Sequence, residues 1–241
     1  MACYALIPAA GTGTRFRGET PKQYLPLAGR PMLWHAVNSL CTPPIENVFV
    51  VLAPGDRRFA GFDWSAFAGR LEPLYCGGEA RRDSVYNGMV AAMAAVDADD
   101  WMLVHDAARP CLPRQDLANL VRETRGDAIG GILALPVADT VKRVAKDEAG
   151  TQRIAATEDR SQLWLAQTPQ MFRCGLLAEA LQKAKPPVTD EASAMEQMGL
   201  RPRLVAGSRE NIKVTYPEDL AIAEAILAAR KDAAEAMKAK R

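Results

Sequence analysis

The sequence predicts an α/β protein in which helices flank a mostly parallel central sheet and a β-hairpin arm protrudes. Nearly continuous apolar runs, at Cys3–Ile7, Asn47–Leu52 and Trp101–Asp106, have the composition of strands buried on both faces of a parallel sheet. They alternate with segments in which apolar residues recur at helical spacing. One polar stretch, residues 137–160, interrupts this alternation and is the predicted arm.

The length and the charge balance limit the class of protein. The chain has 241 residues, 49% of them hydrophobic, and a formal net charge of +1 with acids and bases interspersed. This balance argues against a nucleic-acid surface or a membrane patch, and no apolar stretch approaches the length of a membrane span. We expect a single domain over residues 1–241, with the arm inserted at about 137–160.

We expect the cysteines to be reduced thiols. The chain has five cysteines, no C-x-x-C pair and only two histidines, which argues against a zinc site. No basic region precedes an apolar one at the N-terminus, so no signal peptide is expected. We therefore expect a cytoplasmic protein.

The loop after the first apolar run has the composition of a triphosphate-binding loop. It reads Pro-Ala-Ala-Gly-Thr-Gly-Thr-Arg over residues 8–15, and Pro21-Lys22-Gln23 follows. Small residues let backbone N–H groups approach an anion, and Arg15 and Lys22 add positive charge beside them. A dinucleotide-binding loop would need glycine where Phe16 stands, and the ending of a Walker A loop is absent. An ordinary glycine turn is the weaker alternative, because it explains neither cation.

The remaining elements are justified in chain order by apolar spacing and by the residues that begin or end them. Pro31 and Pro217 suit the first turns of helices, Gly199 suits a helix end, and Thr189 would be a good N-cap. Helices are predicted at 31–41, 82–96, 113–125, 174–185, 189–198 and from 217 onward. Further strands are predicted at 71–75 and 129–136, within 161–172, and at 203–206 and 211–215.

The second glycine-rich turn, Cys76–Ala80, allows two interpretations. It is either a plain strand-to-helix turn whose helix is capped by Asp83 or Ser84, or an edge that binds a pyrimidine. In the second case, backbone groups of Gly78 and Glu79 and the Ser84 hydroxyl would contact the base. The composition fits both interpretations.

Asp106 ends a predicted buried strand. Ligands of open α/β sheets bind outside the carboxyl ends of the strands, so we expect Asp106 on the same sheet edge as the first loop. Mg²⁺ is commonly held by one or two carboxylates together with phosphate oxygens, which makes Asp106 a candidate metal ligand. The alternative is a structural carboxylate that caps a helix or pairs with Arg109.

The arm resembles a hairpin that lacks a core of its own. Two predicted strands, at 140–144 and 151–154, flank the turn residues Asp147–Gly150. An isolated two-stranded hairpin is marginally stable in water. We therefore expect a second copy of the chain to support the arm, giving a homodimer.

Six motifs occur in order between residue 3 and about residue 230. They are the first loop, Pro21–Tyr24, His105–Pro110, Gln167–Gln170, Thr189–Glu191 and Asn211–Thr215. The chain thereby resembles the 2-C-methyl-D-erythritol 4-phosphate cytidylyltransferases of the non-mevalonate isoprenoid pathway, in the stand-alone rather than the fused form. The resemblance implies a Rossmann-like nucleotidyltransferase fold. It also implies transfer of the cytidylyl group of CTP to methylerythritol phosphate, with Mg²⁺, giving 4-diphosphocytidyl-2-C-methyl-D-erythritol and pyrophosphate.

The resemblance also implies roles for individual residues. Arg15, Lys22 and Lys213 would stabilise charge on the reacting phosphates, and Asp106 would hold Mg²⁺. The CTP site would consist of Ala9, Ala10, Gly11, Gly13, Arg15, Lys22, Gly78, Glu79, Ser84 and Asp106. The methylerythritol phosphate site would consist of Asp106, Arg109, Thr140, Arg160, Thr168, Thr189 and Lys213, with the arm residues supplied by the partner subunit.

Two other functions are weighed against this one. The first loop and Asp106 do not separate it from a cytidylyltransferase for another alditol phosphate, such as ribitol 5-phosphate. By the resemblance, Arg160, Thr168 and Thr189 are the better discriminators. A non-catalytic nucleotide-binding module would not need Arg15, Lys22, Asp106 and Lys213 together. A phosphate monoester oxygen is itself a nucleophile, so positioning and electrostatics suffice for the transfer and no Ser-His pair is required.

Overall fold

The computed structural model describes residues 1–11 and 20–239, so Gly13, Arg15 and the rest of 12–19 lie outside the described residues. The strands are β1 (Cys3–Pro8), β2 (Pro26–Leu27), β3 (Arg30–Pro31), β4 (Ile45–Val51), β5 (Leu71–Leu74), β6 (Trp101–Val104), β7 (Gly130–Pro136), β8 (Val141–Lys146), β9 (Gln152–Glu158), β10 (Trp164–Arg173) and β11 (Arg203–Ala206). The helices are α1 (Met32–Leu40), α2 (Arg81–Ala92), α3 (Arg114–Thr124), α4 (Cys174–Lys183), α5 (Glu191–Gln197) and α6 (Asp219–Ala239).

Seven of these strands form one mixed, mostly parallel sheet, as predicted. Its order is β11-β7-β10-β6-β1-β4-β5. Strand β1 is parallel to both neighbours, with Leu6 opposite Phe49 of β4 and Val104 of β6. Strand β10 is the exception, since it runs antiparallel to β6 and to β7. The carboxyl ends of β1, β4 and β6 therefore lie together at one edge of the sheet.

Helices cover both faces of the sheet, and the alternation of side chains along β1 shows why its run is continuously apolar. Ile7 packs into a cluster with residues of α1 and α3. Leu6 packs into a second cluster with residues of α2, α4 and α5. Both side chains are fully buried, as expected for a strand with no solvent face.

Three predicted elements are wrong in detail. Residues 211–215 form no strand but an irregular segment, whose Val214 N–H donates to the carbonyl oxygen of Ala108 at 2.8 Å. Helix α2 ends at Ala92, four residues short of the predicted end. The N-cap of α5 is Asp190 rather than Thr189: the Asp190 carboxylate accepts from the N–H of Ser193 at 2.9 Å. Two 3₁₀ turns, Phe59–Gly61 and Ser65–Phe67, lie between β4 and β5.

The predicted hairpin arm is present. Among the described strands, β8 and β9 pair only with each other, in an antiparallel sheet separate from the central one. Val144 and Ile154 face each other in its register and are exposed. Charged pairs such as Arg143–Glu158, at 2.6 Å, join the two strands on the surface. Within the described ranges, no helix is both long enough and apolar enough to cross a membrane.

Candidate active site

Two adjoining cavities open at the carboxyl edge of the sheet. The larger, of about 470 Å³, is lined by Pro8, Ala9, Ala10, Gly11, Lys22, Gln23, Gly78, Glu79, Ala80, Arg81, Ser84, Asp106, Ala107, Ala108 and Lys213. The smaller, of about 240 Å³, is lined by Arg81, Asp106, Arg109, Ala166, Gln167, Thr168, Gln170, Thr189, Asp190 and Lys213. Arg81, Asp106 and Lys213 are common to both, so three charged side chains stand where the cavities meet.

The described part of the first loop is held by hydrogen bonds to residues outside the loop. The Ala9 N–H donates to the carbonyl oxygen of Val51 at 2.8 Å, which continues the β1–β4 pairing by one residue. The buried Gln23 amide donates to the carbonyl oxygen of Ala9 at 2.7 Å. Because Gln23 follows Lys22 directly, this bond also places Lys22 at the rim of the larger cavity.

The second glycine-rich turn packs against the first loop. A Cβ atom on Gly77 would lie 2.2 Å from the Cβ of Ala10 and 2.8 Å from the carbonyl oxygen of Leu52, so no other residue fits without movement. Ser84 braces the turn, because its hydroxyl accepts from the Gly78 N–H at 3.1 Å and lies 3.2 Å from the carbonyl oxygen of Ala80. Gly78, Glu79 and Ala80 of this turn form part of the wall of the larger cavity.

Asp106 is a buried carboxylate surrounded by cations. Its oxygens lie 2.7 Å from Lys213 Nζ, 3.0 Å from Arg81 Nε and 4.0 Å from Arg109 Nε. Burial alone would raise the pKa of Asp106, but the charges of Arg81 and Lys213 outweigh it and hold that pKa below its ordinary value. Asp106 is therefore ionised at neutral pH.

The sequence analysis missed the ion pair between Arg81 and Glu191. Arg81 donates from Nη1 to Glu191 Oε1 at 2.7 Å and from Nη2 to Oε2 at 3.1 Å, while its Nε contacts Asp106. The two residues are 110 positions apart, so no local pattern joins them. Glu191 did fall within a recognised motif, Thr189–Glu191, and that was the one available signal.

Thr168 and His105 form a buried link beneath Asp106. His105 Nε2 lies 3.0 Å from the carbonyl oxygen of Arg109, which can only accept, so Nε2 carries the proton. The Thr168 hydroxyl then donates to His105 Nδ1 at 3.0 Å and accepts from the Asp106 N–H at 3.0 Å. Burial lowers the pKa of His105 to about 4, so its ring is neutral at pH 7. Thr168 thus fixes the backbone of Asp106 from below.

Arg109 also anchors backbone. Its guanidinium donates to the carbonyl oxygen of Asn211 at 2.6 Å, two residues before Lys213. The Asn211 amide in turn donates to the carbonyl oxygen of Thr168 at 2.8 Å. These bonds give the irregular segment a fixed path, and Lys213 reaches Asp106 from it.

The structure brings most of the predicted site residues together and leaves some apart. Ala9, Ala10, Gly11, Lys22, Gly78, Glu79 and Ser84 line the larger cavity, Arg109, Thr168 and Thr189 line the smaller, and Asp106 and Lys213 line both. Thr140 and Arg160 line neither cavity of their own chain. The Arg160 guanidinium donates instead to the carbonyl oxygen of Ala138 at the base of the arm.

The donor set at the site fits a metal ion held mainly by a substrate. Within residues 1–11 and 20–239, no three side chains of the acidic, histidine or cysteine type cluster as a metal site would require. Asp106 offers one hard carboxylate at the junction of the two cavities. Mg²⁺ suits such a site, because it usually takes one or two carboxylates and completes its shell with phosphate oxygens and water.

Comparisons with known proteins agree with one another. Residues 3–229 match the family model described as "IspD: 2-C-methyl-D-erythritol 4-phosphate cytidylyltransferase". The protein of that name from Dechloromonas aromatica is 56% identical over 230 residues, which cover 95% of this chain and 98% of the relative. A crystal structure titled 4-diphosphocytidyl-2C-methyl-D-erythritol synthase superposes with a TM-score of 0.81 at 39% identity, covering 94% and 98% of the two chains. The Francisella tularensis cytidylyltransferase superposes with a TM-score of 0.77 at 34% identity, covering 94% and 100%.

Proposed function

Since the chain belongs to the family of 2-C-methyl-D-erythritol 4-phosphate cytidylyltransferases, we propose that its two cavities hold the two substrates of that reaction. The protein transfers the cytidylyl group of CTP to 2-C-methyl-D-erythritol 4-phosphate, giving 4-diphosphocytidyl-2-C-methyl-D-erythritol and pyrophosphate. Its fold is the expected Rossmann-like nucleotidyltransferase fold. In the proposal, CTP occupies the larger cavity and methylerythritol phosphate the smaller.

The observation that carries this assignment is the wall common to both cavities. The larger cavity is lined by the first loop and the glycine turn, whose backbone N–H groups and small side chains suit a triphosphate and a base. The smaller is lined by the hydroxyl and guanidinium groups of Thr189 and Arg109, which suit a polyol phosphate. The reacting phosphates would meet beside Lys213 and Arg81, which belong to both.

The reaction requires positioned substrates and stabilising charge rather than a general base. An oxygen of the methylerythritol phosphate monoester attacks the α-phosphorus of CTP, and a new P–O bond forms. The bond from the α-phosphorus to the bridging oxygen breaks, and its electron pair leaves with pyrophosphate. Lys22 and Lys213 would stabilise the negative charge that gathers on the α-phosphate and the leaving group. Arg15, in the same loop as Gly11, is proposed to share this role.

Mg²⁺ is the proposed cofactor, and Asp106 its proposed protein ligand. When bound, the ion would neutralise phosphate charge and polarise a phosphoryl oxygen. Asp106 suits this role because its carboxylate is ionised and faces both cavities. Thr168 supports the role by fixing the backbone N–H of Asp106.

A homodimer joined through the arm is also proposed. Thr140 and Arg160, the proposed contacts to methylerythritol phosphate, lie on the arm and outside their own chain's cavities. Apolar side chains at and below the arm, at Val144, Ile154 and Leu165, are exposed, and a second subunit would cover them. A cytoplasmic location is proposed because all five cysteines are free thiols.

Pyrophosphate release tests the function directly. The protein is incubated with Mg²⁺, with CTP or UTP, and with methylerythritol 4-phosphate or ribitol 5-phosphate. Release should require CTP and methylerythritol phosphate, because a site whose fixed hydrogen-bonding groups match cytosine leaves them unpaired with uracil. Comparable kcat/KM for UTP would contradict the assigned base site, and faster release with ribitol phosphate would favour the other alditol. No release with any pair would indicate a non-catalytic module.

A further inference from the structure

Asp106 is held by cations of two different kinds. Lys213 reaches it from an irregular segment, and its side chain is 46% exposed. Arg81 reaches it from the first turn of α2 and is held at the same time by both oxygens of Glu191. Glu191 is 1% exposed and lies in the first turn of α5. Of these two cations, Lys213 is the more exposed, whereas Arg81 has a second carboxylate partner in Glu191.

The net charge of this cluster of ionised side chains bears on whether Asp106 can lose its contact with Lys213. The carboxylates are those of Asp106 and Glu191. The cations are those of Arg81, Arg109 and Lys213. The cluster carries one net positive charge with Lys213 and is neutral without it. A buried carboxylate left without a cation is strongly unfavourable, but Asp106 keeps Arg81 when Lys213 departs.

We propose that Glu191 is a positioning residue for the transfer: by fixing Arg81 against Asp106, it lets Lys213 leave Asp106 for the reacting phosphate. The proposal rests on the role of Lys213 proposed above and extends it to two residues outside the predicted site. Arginine suits the fixed position because its planar fork binds a carboxylate through two parallel hydrogen bonds. Lysine suits the moving one because its ammonium sits on a flexible stem.

The isosteric change Glu191→Gln removes this support. A glutamine amide can accept from only one of the two guanidinium N–H groups, and it presents N–H donors toward the other. Arg81 would lose its fixed orientation, and Asp106 would depend more on Lys213. The ammonium would then be held away from the phosphate, so the loss should fall on the transfer step rather than on CTP binding.

The experiment is a double-mutant cycle between Glu191→Gln and Lys213→Ala, read as separate kcat and KM values. Glu191→Gln should lower kcat by roughly 10- to 100-fold, as expected for misplacement of a reacting group, with KM for CTP changed by less than about twofold. In the Lys213→Ala background, the same change should lower kcat by less than about threefold, because the group that it frees is gone. Glu123→Gln, which breaks a surface pair with Arg203 at 2.9 Å, is the matched control and should leave kcat unchanged.

The outcomes separate this inference from the proposed function. If Lys213→Ala keeps a near-normal kcat, the role of Lys213 is wrong. If Lys213→Ala is impaired and the Glu191→Gln loss simply multiplies with it, Glu191 has only a structural role and the inference is overturned. Should Glu191→Gln fail to fold, Arg81→Lys in the same cycle provides the test, because it keeps the charge and removes the fork. Additive losses with Arg81→Lys would overturn the inference equally.

Discussion

Lys22 donates from Nζ to the carbonyl oxygen of Val214 at 2.7 Å. This bond joins residues 192 positions apart and ties the Pro21–Gln23 stretch to the segment that carries Lys213. Lys22 and the backbone that carries Lys213 are therefore placed relative to each other before any substrate binds. Such placement reduces the reorganisation needed at the moment of reaction, which is why positioned charge is effective in transfer chemistry.

The first prediction concerns these two lysines. Lys22→Ala and Lys213→Ala should each lower kcat on the order of 10²-fold or more, the usual effect of removing one preorganised charge donor. Steady-state kinetics with CTP and methylerythritol phosphate measure the effect. Lys183→Ala, which breaks an exposed pair with Glu179 on α4, is the control. A near-normal kcat with only a raised KM would show that the lysines bind substrate without acting on the transition state.

The second prediction concerns Asp106. Asp106→Asn keeps the shape of the side chain and removes its charge, so activity should collapse and less Mg²⁺ should bind in the CTP complex. Calorimetric titration of Mg²⁺ into the protein with CTP gives the stoichiometry. Asp63→Asn, at an exposed pair with Arg30, controls for the loss of one carboxylate. Unchanged Mg²⁺ binding would leave Asp106 a purely structural role.

The third prediction concerns the contact between the two glycine-containing loops. Gly77→Ala would place a methyl group 2.2 Å from the Cβ of Ala10, which forces the walls of the larger cavity apart. We expect a loss of stability of about 1–3 kcal/mol, typical of overpacking, together with a raised KM for CTP. Gly55→Ala has no neighbour within 4 Å and should change neither. Unaltered stability and KM in Gly77→Ala would refute the close approach.

The fourth prediction concerns the arm. An isologous dimer would place both copies of Arg160 equivalently, and an arginine suits a phosphate because it binds bidentately. Arg160→Ala and Lys22→Ala should each be nearly inactive alone. In mixed dimers, one site would carry both changes and the other neither, so activity should partly return.

Subunit exchange must be verified independently, for example by mass spectrometry of tagged chains. If mixed dimers form and activity stays absent, Arg160 acts within its own chain and the shared-site arrangement is wrong. A chain that remains monomeric at all concentrations would contradict the dimer itself.

The fifth prediction is a pH dependence of stability through His35. Its Nε2 donates to the carbonyl oxygen of Leu27 at 2.7 Å, and burial lowers the pKa of His35 below the ordinary 6.5. The unfolded chain therefore binds a proton more readily than the folded one, so the free energy of unfolding should fall as the pH drops below about 6.5. Urea unfolding of the wild type and His35→Gln at about pH 7.5 and about pH 5.5 measures the difference.

The variant should lose less stability than the wild type over that interval. Part of the decline should persist in both proteins, because burial also lowers the pKa of His105. Equal declines would show that His35 gains its proton as easily in the folded state as in the unfolded one.

The sequence predicted the sheet well because its parallel strands are buried on both faces and are therefore apolar throughout, as in β1 and β4. It failed at 211–215, where apolar and polar residues alternate as in a strand. There, Val214 packs with Leu27 and with Ala223 of α6. The Asn211 side-chain amide donates to the carbonyl oxygen of Thr168. Alternating apolar and polar residues indicate only that every second side chain is buried. An irregular segment packed between two layers can show the same alternation.

The site was predictable where its residues are close in sequence and hidden where they are not. The first loop and Asp106 were found because each follows a recognisable strand. Arg81 was not, since its function comes from Asp106 and Glu191, which tertiary structure alone brings to it. The Thr168 hydroxyl makes its two observed hydrogen bonds with protein groups, and its contact with the substrate stays a prediction. Motif spacing cannot distinguish a ligand-binding hydroxyl from one that braces the protein.

The common wall of the two cavities also bears on inhibitor chemistry. A molecule that joins a cytidine-like group to a polyol phosphate would make its second binding event intramolecular. Its affinity would then depend on whether the linker passes Arg81 and Lys213, which border both cavities, without strain. When a linker matches its span, tethering alone can raise affinity by about 10²- to 10⁴-fold over either half. For this protein, linker length would therefore matter as much as the chemistry of either end.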